Sequence, residues 1–137
     1  MPGRSSSDPS SAPRSDGAAD PWLEHCLGLP GAWRDEPWDG QVVAKVGPKI
    51  FAFLRGLQPS GRPRTLGLKC GDREAADLWL ERYPGSVSTL PYLGRWGWNA
   101  FTLDGSIPDE DLEELVERSY AIVVTTLPRR LRPPGTR

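Results

Sequence analysis

Apolar positions recur at two periods along the chain, and the alternation between them predicts its elements. Trp22, Leu23, Cys26 and Leu27 fall at helical spacing. Asp20-Pro21 before them supplies a capping carboxylate and a proline suited to the first helical turn. Gly28 and Pro30-Gly31 end that helix. Gln41 to Val46 alternates loosely, Gly47-Pro48 is a turn signal, and Ile50 to Leu54 is wholly apolar. A run of that kind suits a strand covered on both faces. Gln58 to Pro63 reads as a loop tip and Arg64 to Lys69 as the return strand of a hairpin. Gly71-Asp72 opens a second helix through Tyr83, with Ala76, Trp79, Leu80 and Tyr83 inward. Gly94 to Gly97 is a loop, and Trp98 to Leu103 is a strand ending at Asp104-Gly105. Ser106-Ile107-Pro108-Asp109 carries a capping-box pattern for a last helix reaching about Leu127. Its buried stripe is Leu112, Leu115, Val116, Ser119, Tyr120, Ile122 and Val123. The predicted order is helix, three strands, helix, strand, helix. Short turns between strands imply an antiparallel sheet with helices packed on one face, an α+β fold.

Composition sets the limits of this domain. The chain has 137 residues, which suits one unit, and 37% hydrophobic residues suffice for a core. Residues 1–19 are rich in Ser, Pro, Gly and Asp and are expected to be disordered, because they bury too little to offset chain ordering. The folded domain is expected over 20–128, and 129–137 as a flexible basic tail. No run of about 18 apolar residues is present, so no membrane span is expected. The polar N-terminus lacks the apolar core of a signal peptide, which points to the cytoplasm. Cys26 and Cys70 form no CxxC pair, and His25 is the single histidine, so no Cys/His metal cluster and no cofactor are expected.

Net charge of -1 excludes a strongly basic nucleic-acid binder, but the charges are segregated. Between Gly40 and Gly71 stand six cations, Lys45, Lys49, Arg55, Arg62, Arg64 and Lys69, with no acid among them. Between Asp104 and Glu117 stand seven acids and no cation. The basic hairpin reads either as a phosphate-binding surface or as a lysine-guarded sheet edge. The acidic helix face reads either as a solvated surface or as a cation site.

Six tryptophans are many for this length. Trp22 and Trp79 fall on apolar helix faces, while Trp33 and Trp38 bracket an Arg-Asp-Glu-Pro loop. Arg95, Trp96, Trp98 and Asn99 form a basic-aromatic loop that could stack a base or pack inward. His25 projects away from the apolar face as a surface residue, and Cys26 shares that face as a small hydrophobe. No nucleophile elbow, P-loop or dinucleotide fingerprint is present, so no enzyme is expected.

Several segments, in order, resemble one family. They are Cys26 to Gly31, Glu36-Pro37-Trp38, Val43 to Ala52, Leu68-Lys69-Cys70, Tyr83-Pro84-Gly85, Trp98-Asn99, Leu103 to Pro108, Ser119-Tyr120 and Leu127-Pro128. Together they resemble the MmcQ/YjbR family from about Leu23 to Leu131. The chain departs from the family pattern at Gly94, Arg95 and Gly97. The resemblance implies a CyaY-like fold, similar in outline to frataxin, with hairpin wings and weak DNA binding. The residues expected to contact nucleic acid are Lys45, Lys49, Arg55, Arg62, Arg64, Lys69, Arg95, Trp98 and Asn99. The alternative is a protein-interaction or metal-handling module of CyaY type that uses the acidic last helix.

Overall fold

A computed structural model describes residues 20–55 and 64–134. The disorder expected of residues 1–19 and the hairpin tip that carries Arg62 lie outside the described residues. Helix α1 (Pro21–Leu27) starts where Asp20 caps it, its carboxylate accepting from the Trp22 N–H at 3.0 Å and the Leu23 N–H at 3.2 Å. Four strands follow as a meander: β1 (Ala32–Trp38), β2 (Gln41–Val46), β3 (Lys49–Arg55) and β4 (Thr65–Lys69). Helix α2 (Arg73–Arg82) is capped by Asp72, whose carboxylate accepts from the Ala75 N–H at 2.9 Å. Next come β5 (Val87–Thr89), a 3₁₀ turn over Gly94–Trp96, β6 (Trp98–Thr102) and the long helix α3 (Asp109–Thr125). The sheet order is β1-β2-β3-β4-β6-β5, with every neighbouring pair antiparallel. The α+β antiparallel class is therefore as expected, and β3 is an inner strand.

Two strands go beyond the predicted order. The segment read as a loop between Trp33 and Trp38 is the edge strand β1. Its run Arg34-Asp35-Glu36-Pro37 conceals the alternation, because edge strands carry charge and proline that discourage further pairing. Strand β5, at the other edge, has three residues, too few to show a period. The capping box at Ser106 does not form. Pro108 occupies the N-cap of α3 without a side-chain bond, while the Ser106 N–H donates to Asp104 Oδ1 at 3.0 Å. Asp109, Glu110 and Asp111 in the first turn offset the missing cap by meeting the positive end of the helix dipole.

The core lies between the sheet and its helices. Phe51, Leu66, Leu68, Phe101, Ile107 and Leu115 are fully buried there, each stabilising by about 1.5–3 kcal/mol through area removed from water. Trp22 and Trp79 pack against this core only partly buried. Ser119 is a hydroxyl amid that apolar layer, and the sheet explains it. The β2–β3 register slips between Ala44 and Lys45, and the β3–β4 ladder ends at Ala52 and Leu68. Where the next pair would form, the Ser119 hydroxyl donates to Phe51 O at 2.6 Å and accepts from the Lys69 N–H at 3.0 Å. One side chain of α3 thus closes the gap left by a bulge.

The chain stays attached beyond Pro128. Residues Arg129–Leu131 form a 3₁₀ turn, and Arg132 donates to the carbonyls of Leu127 and Thr125, each at 3.0 Å. Those carbonyls end α3, where a cation is favoured. The flexible tail expected from Arg129 onward is thus held for most of its described length. Among the described residues, no helix is long and apolar enough to cross a membrane.

Candidate ligand-binding face

Strand alternation divides the sheet into two surfaces. The row Ala44, Ala52, Leu68 and Asn99 is paired across four strands and faces the helices. The next row, Val43, Phe53, Gly67, Ala100 and Ser88, faces away. No helix covers this second face among the described residues. The segment after β5 folds back over part of it, so that Val43 is fully buried and Leu90 nearly so. Gly67 permits that approach: a Cβ there would lie 3.1 Å from the Phe53 Cβ and 3.2 Å from the Leu90 methyls.

The predicted cations that are described do not form one patch. Lys45, Arg55 and Lys69 alternate onto the open face. Lys49 and Arg64 belong to the helix side, where the Lys49 ammonium donates to Thr126 Oγ1 at 3.0 Å and Arg64 pairs with Asp20. Lys45 is also neutralised, with Nζ 2.8 Å from Asp35 Oδ2 and 5.1 Å from the Trp33 ring centre. The hydrogen bond from Lys45 holds the Asp35 carboxyl below the usual carboxylate range, helped by the Glu36 N–H. The acid-free interval in the sequence therefore receives its counterions from outside itself. Lys69 donates to the Trp96 carbonyl. Arg95 is exposed, with its guanidinium 4.8 Å from the Trp96 ring centre.

Trp98 and Asn99, expected to contact nucleic acid, are buried. Trp98 is 9% exposed, edge-on to Phe53 at 5.5 Å. Asn99 is fully buried, donates to Ala76 O at 2.8 Å and accepts from Arg73 at 2.7 Å. Arg73, which the sequence pattern did not single out, also donates to Gly94 O at 2.7 Å and to Asp77 at 2.8 Å. It clamps α2, β6 and the 3₁₀ turn together. Gly97 closes that turn at φ 90°, and a Cβ there would lie 1.9 Å from Gly71 O. The Arg95–Asn99 segment is thus a structural joint whose outer residues alone meet solvent.

Arg55 is the last residue of β3 and borders two clefts on the open face. It lines a cleft of about 470 Å³ together with Thr65, Ser88, Thr89, Thr102 and Asp104. It also lines a second cleft, of about 310 Å³, with Trp38, Gln41, Phe53, Leu90 and Tyr92. Its Nε is buried without a hydrogen-bond partner, and it makes no ion pair among the described residues. Asp104 stands at the first cleft, but its carboxylate accepts from Ser106, which holds it below the usual range. Trp38 is 60% exposed and Tyr92 98% exposed. Tyr92 is the only described non-glycine residue at positive φ, 68°, a conformation that costs about 1–3 kcal/mol and clusters at ligand sites. Neither aromatic lies on a periodic face, so no pattern along the chain links them to one cleft.

The remaining candidates supply structure. Cys26 and Cys70 are free and buried, and burial pushes both thiols up to about 12. His25 is half-buried rather than on the surface, in edge contact with Trp22 and 3.5 Å from Glu117. The acidic run on α3 is dispersed. Tyr83 donates to Asp111, which raises the phenol's pKa, and Arg118 pairs with Glu114 at 3.2 Å. Among the described residues, no three acidic, His or Cys side chains converge as a metal site would require.

Comparison with known proteins agrees with this architecture. A crystal structure of a Deinococcus radiodurans protein, described as a DUF419 domain, superposes with a TM-score of 0.74 at 28% identity, covering 86% of this chain and 90% of that one. A Pseudomonas syringae protein of known structure shares the fold at a TM-score of 0.61 and 16% identity, covering 74% of this chain and 94% of its own. The uncharacterized protein YjbR of Escherichia coli K12 is 31% identical over 112 residues, 80% of this chain and 90% of its own. The YjbR family model matches residues 27–122, and with that relative it shows that the chain belongs to the YjbR family.

Proposed function

We propose that this chain is a non-catalytic binding module that holds nucleic acid weakly, in single-stranded form, across the open face of its sheet. One observation carries the reading: two exposed aromatics, Trp38 and Tyr92, line a cleft shared with Arg55, a cation with no ion pair among the described residues. Aromatic platforms beside a cation suit unstacked bases and their phosphates, and each stacked base contributes about 1–3 kcal/mol. A duplex hides its bases and is held through many phosphate contacts. Among the described hairpin cations, Lys45 and Arg64 are already paired with acids, which weakens that mode. The net charge of -1 further limits affinity. The contact set thereby moves from the basic hairpin to Trp38, Arg55 and Tyr92, with Arg95 and Trp96 exposed as a second stacked pair.

Titration of fluorescent single- and double-stranded oligonucleotides of one sequence, at several salt concentrations, tests this. The single strand should bind more tightly, with a shallow salt slope of about one to two phosphates. Equal binding of both forms, or none at low salt, would overturn the proposal.

A further inference from the structure

We infer that the recognition unit of this face is one phosphorylated nucleoside, with its base in the Trp38–Tyr92 cleft and its phosphate on Arg55. The inference rests on the nucleic-acid reading above and deepens it. The two clefts differ in chemistry. One presents two exposed rings with Phe53 and Leu90 behind them, a lining suited to a flat heterocycle. The other presents the hydroxyl residues Thr65, Ser88, Thr89 and Thr102, a lining suited to sugar and phosphate oxygens. Arg55 is common to both.

The state of Arg55 points to an anion. A buried guanidinium nitrogen without an acceptor is costly, and the carboxylate that lines the cleft, Asp104, is held by Ser106 instead. Arginine's planar fork matches phosphate in a bidentate manner. The volumes of about 470 and 310 Å³ lie within the range of small-ligand sites. A nucleoside monophosphate carries a flat ring, a polyhydroxylated sugar and a dianion, one group for each of these surfaces. A longer strand would repeat this contact weakly or not at all.

The test uses the full ¹⁵N-labelled chain and three probes: adenosine monophosphate, adenosine and inorganic phosphate. Adenosine monophosphate should shift the Trp38 indole N–H and the Tyr92 amide, and should bind roughly tenfold more tightly than adenosine. Inorganic phosphate should perturb Arg55 and leave the Trp38 indole unmoved. Arg55→Gln should abolish the preference for the monophosphate. Tyr92→Asn, which keeps a residue tolerant of positive φ, should weaken both nucleoside probes equally without disturbing the core. Saturating monophosphate should displace a bound single-stranded oligonucleotide. If adenosine binds as well as its phosphate, or the oligonucleotide persists beside saturating monophosphate, the inference fails and the nucleic-acid reading stands. If the monophosphate binds as expected but no oligonucleotide does, the reading above fails and the mononucleotide site remains.

Discussion

The two faces of the sheet are built from the same strands but to opposite specifications. On the helix side, Phe101, Leu66, Leu68 and Ala52 have no exposed surface, and the polar groups that enter are satisfied: Asn99 by Ala76 and Arg73, Ser119 by Phe51 and Lys69. On the open side, Trp38 and Tyr92 are exposed, and Arg55 keeps a buried nitrogen without an acceptor among the described residues. Asn99 and Ser119 follow the rule that buried polar groups are paired, whereas Arg55 Nε and Gln41 Nε2 on the open side depart from it, as does His25 Nε2 on α1. Departures of this kind accumulate where a structure awaits a ligand, so the contrast separates what folds the chain from what it offers to others.

Substitutions should divide along the same line. The largest loss is expected on the covered face: Phe101→Ala should cost about 3–5 kcal/mol of unfolding free energy by leaving a cavity, measured by urea denaturation. A loss below about 1 kcal/mol would mean that the covered side is not the core. Asn99→Ala should cost about 2 kcal/mol, because it leaves the Arg73 guanidinium and the Ala76 carbonyl short of a partner. Any fall in oligonucleotide affinity of this variant should vanish when folded protein alone is counted; a persistent fall would restore Asn99 as a contact. The smallest effect belongs to Lys45→Gln, below about 1 kcal/mol in stability, since its pair with Asp35 lies at a half-exposed sheet edge. Its affinity for single strands should change less than threefold, and a larger drop would show that the Asp35 pair opens on binding.

Much of this fold is legible in the sequence because its signals are local. Asp20-Pro21, Asp72 and the apolar stripe of α3 mark their own helices, and the apolar run after Lys49 marks an inner strand. Strands β1 and β5 are not legible, since one is disguised by Arg34 to Pro37 and the other is three residues long. The site was harder to read because charge in a sequence is one-dimensional. An interval without acids suggested a cationic hairpin, yet Asp35 and Asp20 fold onto Lys45 and Arg64. Asn99 looked available in a basic-aromatic loop and is instead the buried joint between α2 and β6. Arg55 was among the residues expected to contact nucleic acid, but its distinction from the other cations depends on partners that only the folded chain reveals. Trp38 and Tyr92 are far apart in sequence, and no periodicity links them.

If the open face holds single strands through its exposed aromatics, removing those rings should weaken binding. The most direct measurement is the Kd of a single-stranded oligonucleotide for the Trp38→Ala/Tyr92→Asn double variant, beside Glu113→Gln/Glu117→Gln on the opposite side of the molecule. Losing stacking worth about 1–3 kcal/mol per base predicts at least a fivefold weaker Kd for the aromatic variant, with an unchanged melting temperature. The acidic variant should bind as the parent does, or slightly more tightly. If the aromatic variant binds like the parent while the acidic variant loses affinity, the open face is not the site.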